Sequence, residues 1–258
     1  MKILIVNPNT TTSMTAEIAA AAHSAAAVGT EIVAVNPMDG PSSIEGHFDE
    51  AFSVPGLLAE IRSGEVAGAD GHVIACFDDP GLDAARSISQ KPVVGIGEAA
   101  CHMASLVAGR FSVVTTGARS IPAIELNLIK YGLMARCASV RACEIPVLDL
   151  ANDRERAETL ISDQIDAAIR DDRAEAIVLG CAGMATFAAP LSEMHGIPVI
   201  DGVGCAVKLI ESLHYLGITT SKIGGYRPPA AKAYSGRFAA EAPRHAPLGS
   251  QAHGCPAS

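Results

Sequence analysis

Two cysteines each end an apolar run of the kind that forms a buried strand. Cys76 ends the run VIAC at residues 73–76, and Cys181 ends the run VLGC at residues 178–181. Ligands of open parallel sheets bind at the carboxyl ends of the strands, so both thiols are predicted to reach a binding site. A thiol with a pKa of about 8.5 can give or take a proton near neutral pH. Two thiols on opposite faces of one small molecule could therefore move a proton from one face of a carbon to the other.

The sequence around these cysteines occurs twice, which indicates a duplicated unit. The pair AD at 69–70 precedes the first run, and AE at 174–175 precedes the second. Further along, PVVGIG at 92–97 resembles PVIDG at 198–202, and both run into Ala-rich helical segments at 98–108 and 204–213. Alternating strands and helices of this kind predict two copies of one α/β unit.

The predicted elements follow the same alternation in both units. Strands are expected at 3–6, 31–35, 72–75 and 93–96 in the first unit, and at 111–115, 141–145, 176–179 and 199–200 in the second. Helices are expected at 13–27, 56–63 and 154–170. After the two prolines at 228–229, the pattern predicts a short helix at 230–240 and then a poorly ordered tail.

Composition bounds the class of protein. The 258 residues are 49% hydrophobic and carry a net charge of −9, from 28 acidic and 19 basic residues. No basic run is present to neutralise phosphates, so neither nucleic acid nor a membrane is expected as a partner. The chain enters a strand without a secretory signal, has no apolar run long enough to span a bilayer, and spreads its seven cysteines without a disulfide framework. These features favour a cytoplasmic location.

Four blocks in order carry a resemblance to a known family. They are NPNTT at 7–11, PSSIEG at 41–46, VIACFDDPG at 73–81 and VLGCAGM at 178–184. Together they resemble hydantoin racemases, within the aspartate/glutamate racemase superfamily, over residues 1–226. The resemblance implies interconversion of D- and L-5-monosubstituted hydantoins without a cofactor or metal. The substrate would be a small molecule, and the protein would be a homo-oligomer.

The expected fold class is α/β, with two pseudo-symmetric flavodoxin-like domains. Each domain is expected to be a mostly parallel four-stranded sheet flanked by helices, with the active site in the cleft between them. The first domain would be discontinuous, residues 1–98 plus 208–226, and the second would span 99–207. Residues 227–258 would form the C-terminal helix and flexible tail.

The resemblance assigns roles to several positions. Cys76 and Cys181 would alternate as thiolate base and thiol acid at hydantoin C5, whose hydrogen lies next to a ring carbonyl. Asn9 and Ser43 match family positions that would bind the polar groups of the ring, and Phe77 would line the cleft. For Asn9, a turn or a helix cap is an equally good interpretation.

The enolate formed at C5 would also need hydrogen-bond donors. Backbone amides near glycine supply these without a side chain in the way, so Thr116, Gly117 and Gly183 are the candidates. Asp78 and Asp79 are expected to cap the helix that follows Cys76 rather than to act as acid or base.

Other functions stay open. Allantoin is itself a 5-substituted hydantoin, so allantoin racemase is the nearest alternative, while maleate isomerase and amino-acid racemase agree less well with the four blocks. A two-domain binding module without chemistry is a further alternative, and substitution of the two thiols would leave its affinity nearly unchanged. Cys101 and Cys205 also match between the halves, but they lie inside predicted helices and are expected only to pack.

Overall fold

The computed structural model describes residues 1–243, which form two four-stranded sheets. The strands of the first sheet are β1 (Lys2–Val6), β2 (Glu31–Val35), β3 (Gly71–Ile74) and β4 (Val93–Gly95). Those of the second are β5 (Phe111–Thr115), β6 (Cys137–Ala142), β7 (Ala176–Leu179) and β8 (Val199–Ile200). All paired strands are parallel, and the orders β2-β1-β3-β4 and β6-β5-β7-β8 are the same arrangement twice. The predicted α/β duplication is confirmed.

Nine helices flank these sheets within the part of the chain that the structure describes. They are α1 (Thr12–Ala25), α2 (His47–Val66), α3 (Leu82–Ile88), α4 (Ile96–Val107), α5 (Ile121–Lys130), α6 (Asp149–Asn152), α7 (Arg154–Asp172), α8 (Ala188–His195) and α9 (Gly202–Tyr215). Strands β3, β5 and β7 are buried along their whole length, as expected where helices cover both faces of a parallel sheet.

Three predicted elements have different bounds in the structure. The helix expected at 56–63 is the middle of α2, which runs for 20 residues through Pro55. Strand β6 lies at Cys137–Ala142 rather than 141–145, because Glu144 adopts a left-handed φ of 52° that interrupts the regular strand. In place of the helix expected at 230–240 there is a 3-10 helix, Gly236–Glu241. The predicted flexible tail from residue 244 lies outside the described residues.

One core cluster joins the two sheets. It contains Ile5 and Val73 from the first sheet together with Val113 and Val178 from the second. Helix α9 packs against α1 and α4 and over β3, so it covers the first sheet although it follows the last strand of the second. Assignment of residues 208–226 to a discontinuous first domain stays a prediction.

Candidate active site

The two cysteines that end the duplicated runs line one recess. Cys76 lies two residues beyond β3, and Cys181 lies two residues beyond β7, at the carboxyl ends of equivalent strands. Both are partly exposed, and both border a recess of about 390 Å³, including its open mouth. The sheet topology therefore brings together two thiols that the sequence places in separate halves.

The immediate surroundings of the two sulfur atoms are also equivalent. Each thiol accepts a hydrogen bond from the backbone N–H two residues further on, from Asp78 to Cys76 and from Gly183 to Cys181. Burial raises the pKa of Cys76 well above its ordinary value and raises the pKa of Cys181 to about 12, with the negative charge of Asp78 adding to both shifts. Near neutral pH these shifts favour the protonated form of both thiols.

Asp78 is the carboxyl group that faces this recess. It is 7% exposed and lines the recess beside Cys76. Burial, and then the charge of Glu50, raise the pKa of Asp78 to about 7, although a hydrogen bond from Ser120 acts in the opposite direction. The Ser120 Oγ lies 3.2 Å from Asp78 Oδ2, and Asn127 Nδ2 lies 2.8 Å from the Asp78 carbonyl oxygen. Asp78 was expected to cap a helix, and the structure instead places it in the recess.

Asp79 does cap a helix, but a different one from that expected. Its carboxylate accepts from the backbone N–H of Gly97 at 3.1 Å and of Glu98 at 2.7 Å, at the start of α4 rather than of α3. Tyr131 donates to the same carboxylate at 2.6 Å. Asp79 itself has a left-handed φ of 47°, which turns the chain sharply three residues after Cys76. This geometry fixes the loop that carries Cys76.

Three of the predicted binding residues line the recess, namely Asn9, Phe77 and Thr116. Asn9 is buried, and its Oδ1 accepts from Asn7 Nδ2 and from the Thr11 backbone N–H, both at 2.9 Å. The Asn9 side chain therefore organises the turn before α1 and also faces the recess, which combines the two interpretations of its sequence position.

The other three predicted binding residues lie just outside the recess lining. Ser43 Oγ donates to Glu45 Oε1 at 3.2 Å, and the neighbouring Ile44 faces the recess in its place. Gly117 borders a second opening next to the recess. At Gly183 an added Cβ would lie 3.8 Å from the Cys181 sulfur, and its N–H serves that thiol.

Apart from the small residues Ala75, Gly180 and Ala182 beside the two cysteines, sequence reasoning missed four residues that the structure brings to the recess, Met14, Ile44, Ser120 and Val147. Ile44 lies within the block at 41–46, and Ser120 follows the Thr116–Gly117 pair, so nearby motifs could have indicated both. Nothing in the sequence around Met14 or Val147 distinguishes either residue from one that only packs.

The recess lining contains no lysine, arginine or histidine among residues 1–243. In the same part of the chain, no group of three His, Cys, Asp or Glu side chains is arranged to hold a metal ion. No helix there is long and apolar enough to cross a membrane. The groups available for chemistry in the recess are two thiols, one carboxyl group and neutral donors.

Comparison with known proteins decides the family. A family model described as Asp/Glu/Hydantoin racemase matches residues 3–210. The chain belongs to this family. Hydantoin racemase from Rhizobium meliloti is 50% identical over 92% of the chain and 98% of its own length. The structure of allantoin racemase from Klebsiella pneumoniae is 49% identical, with a TM-score of 0.92 over 95% of this chain and all of the other.

A more distant neighbour shows how far the fold extends. Glutamate racemase from Francisella tularensis has a TM-score of 0.63 with 15% identity, covering 86% of this chain and 84% of the other, and this likeness shows the fold alone. The family member described by this structure is thus an isomerase of the racemase class, built from two parallel four-stranded sheets.

Proposed function

We propose that this racemase interconverts the D- and L-forms of 5-monosubstituted hydantoins, without a cofactor, by two-base proton transfer at C5. One observation carries the proposal: Cys76 and Cys181, from equivalent strand ends of the two sheets, border the same recess. A substrate ring between two such groups can lose a proton from one face and gain one on the other.

The proton transfers follow from this placement. One cysteine, as thiolate, takes the C5 hydrogen, and the electron pair moves into the neighbouring carbonyl to give an enolate. The other cysteine, as thiol, gives its proton to C5 from the opposite face, which leaves the first as thiol and the second as thiolate. Donors close to the recess, such as the side chains of Asn9 and Thr116, would bind the ring carbonyls.

The charges around the recess favour a neutral cyclic substrate over an amino acid. A free carboxylate is stabilised by cationic side chains, and the lining offers none among the described residues. Asp78 would instead repel a carboxylate. A hydantoin ring, with two N–H donors and two carbonyl acceptors, requires no ion pair. Maleate and amino-acid substrates are less compatible with the site for this reason.

Allantoin is the second candidate substrate, and the opening beside the recess favours it. This opening shares Thr116 and Ser120 with the recess and is also bordered by Glu45, Arg119 and Glu144. These polar side chains could hydrogen-bond the ureido arm that allantoin carries at C5, whereas alkyl and aryl substituents would gain nothing from them.

The test uses single enantiomers of benzylhydantoin, isobutylhydantoin and allantoin in D2O, with optical rotation and the mass of the C5 position followed together. Decay of rotation to zero with one deuterium gained is expected for the true substrate. Cys76→Ser and Cys181→Ser should each lower kcat by about 10²- to 10⁴-fold, while deuterium exchange of one enantiomer survives, because one-sided abstraction and return needs a single base.

Cys205→Ser is the matched control, because Cys205 is a free cysteine of α9 that does not border the recess. It should racemise the substrate at close to the wild-type rate. Full activity in both Cys76→Ser and Cys181→Ser would refute the two-thiol mechanism. The mechanism requires reduced thiols, which agrees with the expected cytoplasmic location, and the homo-oligomer expected from sequence can be tested on the same preparation by sedimentation.

A further inference from the structure

The recess is asymmetric at one position. Asp78 follows Cys76 by two residues, and the corresponding position after Cys181 is Gly183, which has no side chain. Both residues give their backbone N–H to the nearby thiol, but only Asp78 adds a carboxyl group. One carboxyl group therefore serves a site that is otherwise built from two equivalent halves.

The structure holds this carboxyl group firmly from the opposite half of the molecule. Ser120, after β5, donates to Oδ2, and Asn127 of α5 binds the Asp78 carbonyl oxygen at 2.8 Å. Within residues 1–243, no donor reaches Oδ1, although the residue is 93% buried and borders the recess. One carboxylate oxygen of a residue that lines the same recess as the two thiols thus has no hydrogen-bond donor in the described part of the chain.

Three ionisable groups interact with Asp78, and all are acidic. Glu50 of α2 repels its charge, and the charge of Asp78 opposes ionisation of Cys76 and Cys181. Because no lysine, arginine or histidine among residues 1–243 lines the recess, each additional negative charge in it is costly. Loss of a thiol proton to solvent while Asp78 is ionised would place two negative charges in the recess.

Transfer of the same proton to Asp78 avoids that cost. The S–H bond breaks and an O–H bond forms at the carboxylate, so the negative charge moves from oxygen to sulfur and the total charge of the recess stays the same. No electron transfer is involved. The resulting carboxylic acid is neutral beside the enolate that the thiolate generates, whereas an ionised carboxylate there would repel it.

We propose that Asp78 accepts the proton of whichever thiol becomes the base and holds it during turnover. The inference rests on the proposed two-thiol mechanism. Asp78 acts through the thiols and not on the substrate, so its role is to position a proton. The recess then behaves as one coupled titrating unit of two thiols and a carboxyl group.

A specific pH dependence follows. The recess loses its first proton near pH 7, where burial has raised the pKa of Asp78, and a fixed fraction of that singly ionised form carries the charge on sulfur. Thiolate content should therefore rise about tenfold per pH unit below 7 and then stay level, because the second proton leaves only at much higher pH. Without Asp78 each thiol titrates alone, and thiolate content keeps rising above pH 7.

We call the pH at which thiolate content stops rising the break. The experiment measures it in two ways between pH 5.5 and 9.5. The first is the rate of alkylation of Cys76 and Cys181 by iodoacetamide, followed by peptide mass analysis, and the second is kcat/KM for racemisation. Wild type should show a break near pH 7 in both measurements. In Asp78→Asn the break should disappear, with alkylation rising about tenfold per pH unit throughout. A break that persists in this variant, or is absent from wild type, overturns the proposal.

Asp201→Asn is the matched control, since burial also raises the pKa of Asp201 but its carboxylate caps α9 and does not border the recess. The break in this variant should stay near pH 7; a break lost in Asp201→Asn and kept in Asp78→Asn would overturn the proposal. If Asp78→Asn fails to fold, Ser120→Ala replaces it, because loss of the Ser120 hydrogen bond should move the break to higher pH. An unmoved break in that variant would likewise overturn the proposal.

Alkylation needs no substrate, so the two hypotheses can fail separately. If the break is lost on substitution of Asp78 but the protein racemises no hydantoin, proton sharing is supported and the proposed substrate is refuted. Racemisation by both thiols with no break that depends on Asp78 would refute proton sharing and leave the proposed function standing.

Discussion

At the scale of single residues, two glycines make room for the loop that carries Cys76. A Cβ at Gly95 would lie 2.1 Å from Asp79 Oδ1, and a Cβ at Gly97 would lie 2.2 Å from the carbonyl oxygen of Phe77. The glycines of the GIG sequence at 95–97 are therefore required for close approach of the loop that carries Cys76 to α4.

The two halves cap their equivalent helices by different routes. Asp201 stands directly before α9 and accepts from the backbone N–H of Val203 and Gly204 at 2.9 and 2.7 Å. Gly95 stands at the matching place before α4, and the carboxylate that caps this helix comes from Asp79 in a different loop. Substituting the cap of α4 would therefore disturb the loop after Cys76, whereas the cap of α9 is local to its own turn.

Gly97→Ala tests the close approach. The added methyl group meets a backbone carbonyl that cannot rotate away, so we expect a loss of about 1–3 kcal/mol in the free energy of unfolding. Because the displaced loop carries Cys76, kcat/KM should fall by up to about 100-fold. Urea unfolding and racemase kinetics measure the two effects. Gly225→Ala is the control, since no atom lies within 4 Å of its added Cβ, and wild-type kinetics in Gly97→Ala would contradict the argument.

At the scale of elements, a cluster of hydrogen-bonded side chains joins α2 to the start of β3, the end of that strand opposite to Cys76. Glu65 of α2 lies 3.0 Å from Nε2 of His72, a fully buried residue of β3, and Ser89 donates to the same carboxylate. Burial alone would raise the pKa of Glu65, but the hydrogen bonds from His72 and Ser89 outweigh it and lower the pKa to about 2. The strand that ends near Cys76 is therefore held partly by an ionised carboxylate.

Glu65→Gln should destabilise the protein in a pH-dependent way. The folded-state pKa lies below the unfolded value, so the stabilisation is complete above about pH 4.5 and is lost as the pH falls toward 2. At pH 7 the variant should lose up to roughly 3 kcal/mol of unfolding free energy, and its difference from wild type should shrink in acid. Urea unfolding at several pH values gives this difference. The control is Glu193→Gln, at an exposed position, which should differ little from wild type in unfolding free energy. If Glu65→Gln loses the same unfolding free energy at every pH from 7 to 2.5, this ionic role is excluded.

At the scale of the whole molecule, the two sheets depend on each other. The cluster that contains Ile5 and Val73 of the first sheet continues without interruption into Val113 and Val178 of the second. Helix α4, which follows β4 of the first sheet, packs on α9 and also on β7 of the second sheet. Neither sheet can bury its inner face without the other, so the halves are expected to fold together.

Scanning calorimetry should show one unfolding transition, with a van't Hoff enthalpy close to the calorimetric enthalpy. Residues 1–98 expressed alone should lack a cooperative transition, because the inner face of the first sheet would be exposed to water. Two well-separated transitions in the intact chain would mean that each half has a sufficient core of its own. The Cys76→Ser protein should unfold in the same single step.

The sequence predicted the parts of the fold that depend on local pattern. Seven of the eight strands lie within a residue or so of their expected positions, and α7 begins at the expected Arg154, because apolar periodicity and capping act over short distances. The placement of Cys76 and Cys181 beyond equivalent strands also followed from sequence, since the duplication and the rule for carboxyl strand ends need no coordinates.

Tertiary contacts alone decided the surroundings of the thiols. Pro55 inside a helix of 20 residues, Asp79 as the cap of α4, and Val147 at the recess all depend on segments far apart in the chain. The environment of Asp78 is the clearest case, because its burial, the charge of Glu50 and the hydrogen bond from Ser120 come from three separate elements. A pattern of residue types determines which strands form and where their thiols lie, whereas a pKa depends on desolvation and distant charges, which only the folded chain creates.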